Sequence, residues 1–348
     1  MRELLYDIVH VTDYDYRSAV SVSHHFLRLE PRETPRQRCI AHEFRILPEP
    51  SVLNPHGDYF GNRAHFVAVE RPHSTLTITS RARVAVTPAF VPDISETPAW
   101  ESVRARCRVD RTRATLEALE HSHASPLVPT SPAFANYASA SFLPSRPIID
   151  ALSDLMGRLQ SDFRFDPSAT TVSTPLEEFF QQRRGVCQDF AHFLIACLRS
   201  IGLPARYVSG YLETDPPPGM EKLRGVDASH AWVSLYCPGF GWIDADPTNN
   251  CFPSLRHISI GWGRDYGDIS PVRGVLVGGT DQILKVSVDV TAFGSTPDSE
   301  GNCSGFLSGL FAGSSVSSES PAYGSPFLRP ESCEALPLSE LLLAMPGP

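Results

Sequence analysis

Apolar and polar positions alternate most regularly between residues 76 and 86, where Leu76, Ile78, Ala82, Val84 and Val86 share one parity with Ser80 while Thr77, Thr79, Arg81 and Arg83 hold the other. A period of two is that of a strand with one buried face. Turn signals at Asn54-Pro55-His56-Gly57-Asp58 and Gly61-Asn62 break the flanking sequence, and no helical period intrudes. Residues 1–90 therefore read as a β domain, a sandwich or open barrel. From 91 to 146 the pattern weakens into a connecting segment with one helix expected around Trp100 to Leu119. His121 and His123 lie in it with no carboxylate or thiol spaced to complete a metal site, so both are read as solvated surface.

Residues 147–293 change character. A helix is expected from Pro147 to Leu159 and another from Cys187 to Ile201, followed by strands at 205–213, 227–237, 241–246 and 281–291, the mixture of an α+β domain. In the second helix positions 190, 193, 194, 197, 198 and 201 keep the i, i+3, i+4 spacing, and Gly202 and Pro204 mark its stop. Beyond 294 the chain is rich in Gly, Ser and Pro, a composition that buries too little surface to order itself, so 294–348 is expected to be a disordered C-terminal tail.

Composition narrows the function classes. The 348 residues suffice for two domains, and 42% hydrophobic with 20% charged residues is ordinary for a folded soluble chain. A net charge of −9 offers no basic stripe, so nucleic acid is not an expected partner. The N-terminus lacks the apolar core of a secretory signal and no apolar run is long enough to span a bilayer, which gives the expectation of a cytoplasmic protein with no membrane partner. Eight cysteines without CxxC spacing are read as free thiols, with neither a zinc site nor a disulfide framework. Oligomeric state leaves no mark in the sequence.

Cys187 is the cysteine whose position carries chemistry. It falls in the first turn of its helix, where unpaired N–H groups and the helix dipole favour thiolate over thiol and can hold an oxyanion. Cys197, mid-helix on the apolar face, is core. His230 opens the strand DASHAWVSLYC, and the return strand GWIDADPTNN puts Trp242, Asp244 and Asp246 on one parity. Antiparallel pairing brings Asp246, farther from the turn, nearer His230 than Asp244, in the place of a carboxylate that orients an imidazole. Asp244 stays open as a second carboxylate. His192 lies five residues beyond Cys187, rotated roughly 140° to another face of the helix, and is not expected to reach the thiol. Gln188 and Asp189 shape the helix start, and Trp232 and Trp242 are candidates for supporting or substrate-lining side chains.

GVCQDFAH (185–192), ARYVSGYL (205–212), DASHAW and GWIDADPTN together resemble the ordered motifs of bacterial transglutaminase-like proteins. The resemblance extends to GWGRDYGDISPVRG (261–274), and YDIVHVTDYDY, LRLEPRETPRQ and HGDYFGN resemble the β-rich region that precedes that core, so it covers roughly residues 1–291. It implies a papain-like α+β core with a Cys, His, Asp triad, which falls on Cys187, His230 and Asp246, after an N-terminal β-sandwich-like domain. The histidine follows far sooner than the roughly 130–150 residues of papain-type proteases. The implied chemistry is acyl transfer at an amide of a peptide or protein through a thioester, with hydrolysis ranked before amine transfer and before a silent protein-binding scaffold. No cofactor or metal is expected. The proline-rich loop 214–225 departs from the family pattern, and Asp244 stands where a less charged residue is usual.

Overall fold

The computed structural model describes residues 3–214 and 228–293. The expected tail, and nearly all of the loop at 214–225, lie outside the described residues.

The N-terminal region is β1 (Leu4–Leu27), β2 (Gln37–Leu47), β3 (Val52–Gly57), β4 (Arg63–Val69) and β5 (His73–Val86). The parity read from residues 76–86 is the one buried, with Leu76, Ile78, Ser80, Ala82, Val84 and Val86 all inside. Strand β1 is the organiser. Its first half pairs with β5 through Leu4–Asp15, its register slips between Asp15 and Val20, and its last residues pair with β4. A bulged strand bends, and here the bend lets one strand serve two halves of the sheet. Tyr16, Val20, Leu27, Ile46, Val67 and Ile78 close a common core between those halves, the sandwich-like packing of this region.

The connecting segment is more helical than expected, with α1 (Trp100–Val109), α2 (Arg113–Leu119) and α3 (Pro132–Ser139). The single helix expected over 100–119 is two, because Asp110 leaves the helical conformation and the Thr112 hydroxyl caps the second helix by accepting from the Thr115 N–H. His121 is 5% exposed, not solvated: its ring packs edge-on to Trp242 at 5.4 Å, while His123 is exposed as expected.

The core follows as α4 (Ile148–Asp162), β6 (Arg164–Phe165), α5 (Leu176–Gln182), β7 (Arg184–Gly185), α6 (Cys187–Ser200), β8 (Ala205–Leu212), β9 (Ala228–Cys237), β10 (Gly241–Ala245), β11 (His257–Gly263) and α7 (Tyr266–Ile269). Four strands form an antiparallel sheet in the order β10-β9-β8-β11. Helix α6 lies against one face of it, packing Phe190, Phe193, Leu194, Cys197 and Leu198 onto Ala205, Tyr207, Ala231, Val233 and Leu235. It ends at Gly202, whose φ of +82° a side chain would oppose. On the other face Gly210 has no room for a Cβ beside the Trp232 ring and the Ile258 carbonyl, so β8, β9 and β11 approach closely there.

The last two strands, β12 (Val272–Gly278) and β13 (Gln282–Phe293), differ from the sequence reading. Residues 281–291 were expected to finish the core. They pair instead with β1, Leu5 to Tyr16 against Phe293 to Gln282, and β12 pairs with the other half of β1. Alternation of Leu284, Val286, Val288 and Val290 with Lys285, Ser287 and Asp289 identifies a strand but not its sheet, since register is set by partners remote in sequence. The chain thus returns to its first domain after building the core. Among the described residues no helix is long and apolar enough to cross a membrane.

Candidate active site

Three elements meet at the start of α6. Cys187 is its first residue, after the extended Val186. The turn is locked by Asp189, whose Oδ2 accepts from the Val186 N–H at 2.8 Å and from the Thr170 hydroxyl at 2.6 Å. Burial raises the Asp189 pKa, against the lowering effect of these two bonds. A Cβ at Gly185 would collide with that carboxylate and with the Phe179 ring, so glycine is required where the chain enters the helix. Gln188 reaches the Val172 carbonyl at 3.4 Å and lines the groove beside Cys187.

His230 stands near the start of β9, 8% exposed, with Nε2 2.7 Å from Asp246 Oδ2. The Cys187 thiol lies beside the same imidazole, near enough to act with Asp246 in raising its pKa, and both side chains line one groove. Burial alone pulls an imidazole pKa down. Here the bonds to Asp246 and Cys187, with their charges, outweigh it and raise His230 to about 10. Asp246 follows the end of β10 and is 0% exposed. Burial pushes its pKa up, but bonds from His230, His257 and Asn249 carry it well below the usual carboxylate range. Its Oδ1 accepts the Thr248 and Asn249 N–H groups at 3.0 and 3.2 Å. Cys187 and Asp246 thus flank one imidazole, the carboxylate bonded to it at 2.7 Å and the thiol acting on its pKa.

Asp244 does not share this place. It pairs in register with Ser234 and turns its charge toward Arg36 and Arg206. Trp242 lines a separate cavity with Asp244. Trp232 is 0% exposed and supports the site from behind, edge-on to His257 at a centroid distance of 5.3 Å and 6.2 Å from His230. His192 lies away from the thiol, its Nε2 accepting from the Tyr266 N–H at 3.1 Å, and burial lowers its pKa to about 4.

Sequence reasoning missed three side chains. His257 Nε2 lies 3.0 Å from Asp246 Oδ2, on the oxygen that also bonds His230. Asn249 Nδ2 donates to that oxygen at 2.7 Å. Buried Tyr207 lines the groove, its phenol pKa raised by burial and then by the charge of Cys187. His257 had a signal: it opens the alternating stretch His257-Ile258-Ser259-Ile260 much as His230 opens its own strand. His230, Asp246 and His257 place their ligand atoms within 4.8 Å of one another, with both imidazoles at hydrogen-bond distance from Oδ2.

The groove has a volume of about 700 Å³. Its far wall is the N-terminal sheet, with His10, Thr12 and Tyr16 from β1, Val275 from β12, and Leu284 and Val286 from β13. Both domains therefore shape the space above Cys187. The six cysteines among the described residues are free.

A partly exposed cysteine beside a buried His-carboxylate pair, at a helix start on a helix-backed antiparallel sheet, defines the class. Residues 137–247 match the transglutaminase-like superfamily and residues 6–85 the bacterial transglutaminase-like N-terminal region, and the chain belongs to this superfamily. An uncharacterized protein of Mycobacterium tuberculosis is 41% identical over 298 residues, spanning 83% of this chain and 93% of the relative. A crystal structure of a candidate cysteine protease from Cytophaga hutchinsonii superposes with a TM-score of 0.67 at 17% identity, covering 86% of this chain and 93% of that one. More narrowly, 108 residues are 34% identical to a protein-glutamine gamma-glutamyltransferase of Pseudomonas aeruginosa, 28% of this chain and 16% of that protein.

Proposed function

We propose that the protein is a cysteine-dependent amidase or peptidase in which Cys187 attacks an amide carbonyl of a peptide or protein. The observation that carries this reading is His230 bonded to buried Asp246 with the Cys187 thiol beside it, opening on a groove between two domains. With the His230 pKa raised to about 10, the imidazole holds its proton at neutral pH, and the thiolate is the form of Cys187 that attacks. Attack forms the C–S bond, and first-turn N–H groups of α6 stabilise the oxyanion. His230 then passes its proton to the departing amine as the C–N bond breaks, leaving a thioester. Water, deprotonated by the now neutral imidazole, releases the acid. Asp246 fixes the ring and offsets its charge throughout, and His257 with Asn249 holds Asp246.

Amine transfer is the second reading, favoured by the segment shared with the Pseudomonas glutamyltransferase. The two diverge only at the second nucleophile. Intact-mass and peptide mapping of a peptide mixture incubated with the protein, with and without a primary amine, separates them: hydrolysis yields products that gain water, transfer yields amine adducts. Cys187→Ala should abolish both, a loss of at least about a thousandfold. If iodoacetamide labelled Cys187 no faster at neutral pH than buried Cys197, and no substrate turned over, the silent-scaffold reading would replace this one.

A further inference from the structure

The sheet of the core has a second cavity on the side away from α6. Along β8, Ala205 and Tyr207 pack with the helix, whereas Arg206 and Val208 face the other way into a space of about 890 Å³. Cys187 and His230 are absent from its lining, and the N-terminal region supplies the opposite wall through Arg32, Arg36, Tyr59 and Phe60.

Its centre is a stack of alternating rings and cations. The Arg206 guanidinium lies 4.0 Å from the centre of the Trp242 ring and 3.7 Å from that of Trp262, and Arg32 covers Trp262 at 3.6 Å. Arg206 is only 8% exposed, and among the described residues its buried Nε has no hydrogen-bond partner. Among the described residues the charge that favours its cationic form is Asp244, acting without a hydrogen bond. Arg36 draws on the same carboxylate while its own N–H groups are spent on the Ser254 and His257 carbonyls, each at 3.0 Å. Two guanidinium groups therefore face one carboxylate, with Arg32 adding repulsion.

A guanidinium keeps its charge when buried, and burying it without a bonded partner is costly. Stacking on both faces satisfies the plane of the group but leaves its edge, where the N–H donors lie. That edge is the fork that grips a carboxylate or phosphate in plane. At the rim Tyr59 is 77% and Phe90 75% exposed, an aromatic surface better suited to an organic body than to a bare ion. The volume falls in the range of small-molecule sites.

We propose that this cavity is a second binding site, for a small organic anion whose carboxylate or phosphate is held by the edge of Arg206 between Trp242 and Trp262, with its apolar body against Tyr59 and Phe90. The site is separate from the reaction at Cys187 and stands or falls independently of it.

Titration of the full chain with phenyl phosphate, benzoate, inorganic phosphate and neutral benzyl alcohol tests the proposal, read by calorimetry and by tryptophan fluorescence. At least one aromatic anion should bind saturably, one per chain, at least about tenfold tighter than benzyl alcohol or inorganic phosphate. Preference between phenyl phosphate and benzoate identifies the head group. Arg206→Gln should weaken that binding about tenfold or more. Where Arg206→Gln unfolds the chain, Asp244→Asn decides: removing the competing carboxylate should tighten anion binding about three- to tenfold. The proposal is overturned if neither aromatic anion binds, if benzyl alcohol or inorganic phosphate binds as well, or if Asp244→Asn weakens binding.

Discussion

His230 and His192 are both buried in the core, and their protons behave in opposite ways. Around His192 burial decides, and the ring is neutral with a pKa of about 4. Around His230 burial acts in the same direction but is overcome by the bonded Asp246 carboxylate and the neighbouring Cys187, to about 10. His10 and His25, which line the same groove as Cys187, follow His192 to about 4. Depth in the protein does not mark the reactive imidazole. A buried carboxylate bonded to the ring, with a thiol beside it, does.

The largest test of that contrast removes the carboxylate. In Asp246→Asn, His230 should fall back toward its ordinary 6.5, so the high-pH limb of the rate profile should move down from about 10, and turnover at neutral pH should drop about a thousandfold. An unmoved limb would show that Asp246 does not set the imidazole. Next comes His192→Gln. A folded pKa of about 4 against 6.5 unfolded gives stability that is complete above 6.5 and is lost as pH falls toward 4, on the order of 3 kcal/mol. The variant should flatten this acid loss, measured as denaturant midpoints at pH 7 and pH 4.5. His230 has the opposite sign: its contribution is full below 6.5 and is lost as pH rises toward about 10. The smallest effect is expected at His257. His257→Leu should lower turnover about three- to tenfold by freeing Asp246, and His257→Gln, which keeps an N–H, should recover most of it.

Much of the site was legible in sequence because its parts are local. Helix α6 announces its start and stop, His230 and Asp246 sit on a hairpin whose register follows from its turn, and the choice of Asp246 over Asp244 needed only the length of a strand residue. The same logic failed wherever a partner came from afar. Strand β13 was recognisable by its alternation, yet its pairing with β1 depends on residues more than two hundred positions earlier. His257 reaches Asp246 because β11 lies beside β8, a neighbour that chain order does not announce. The burial of His121 arises where the connecting segment meets Trp242 and Phe60, contacts that no short window contains.

The return of β12 and β13 to β1 also fixes a sequence of events during synthesis. Thiol, imidazole and carboxylate are all translated before Val272, but one wall of the groove is not. A nascent chain whose residues 272–293 are still inside the ribosome presents its sulfur on an unfinished surface. Only release of those strands lets the groove acquire its second wall.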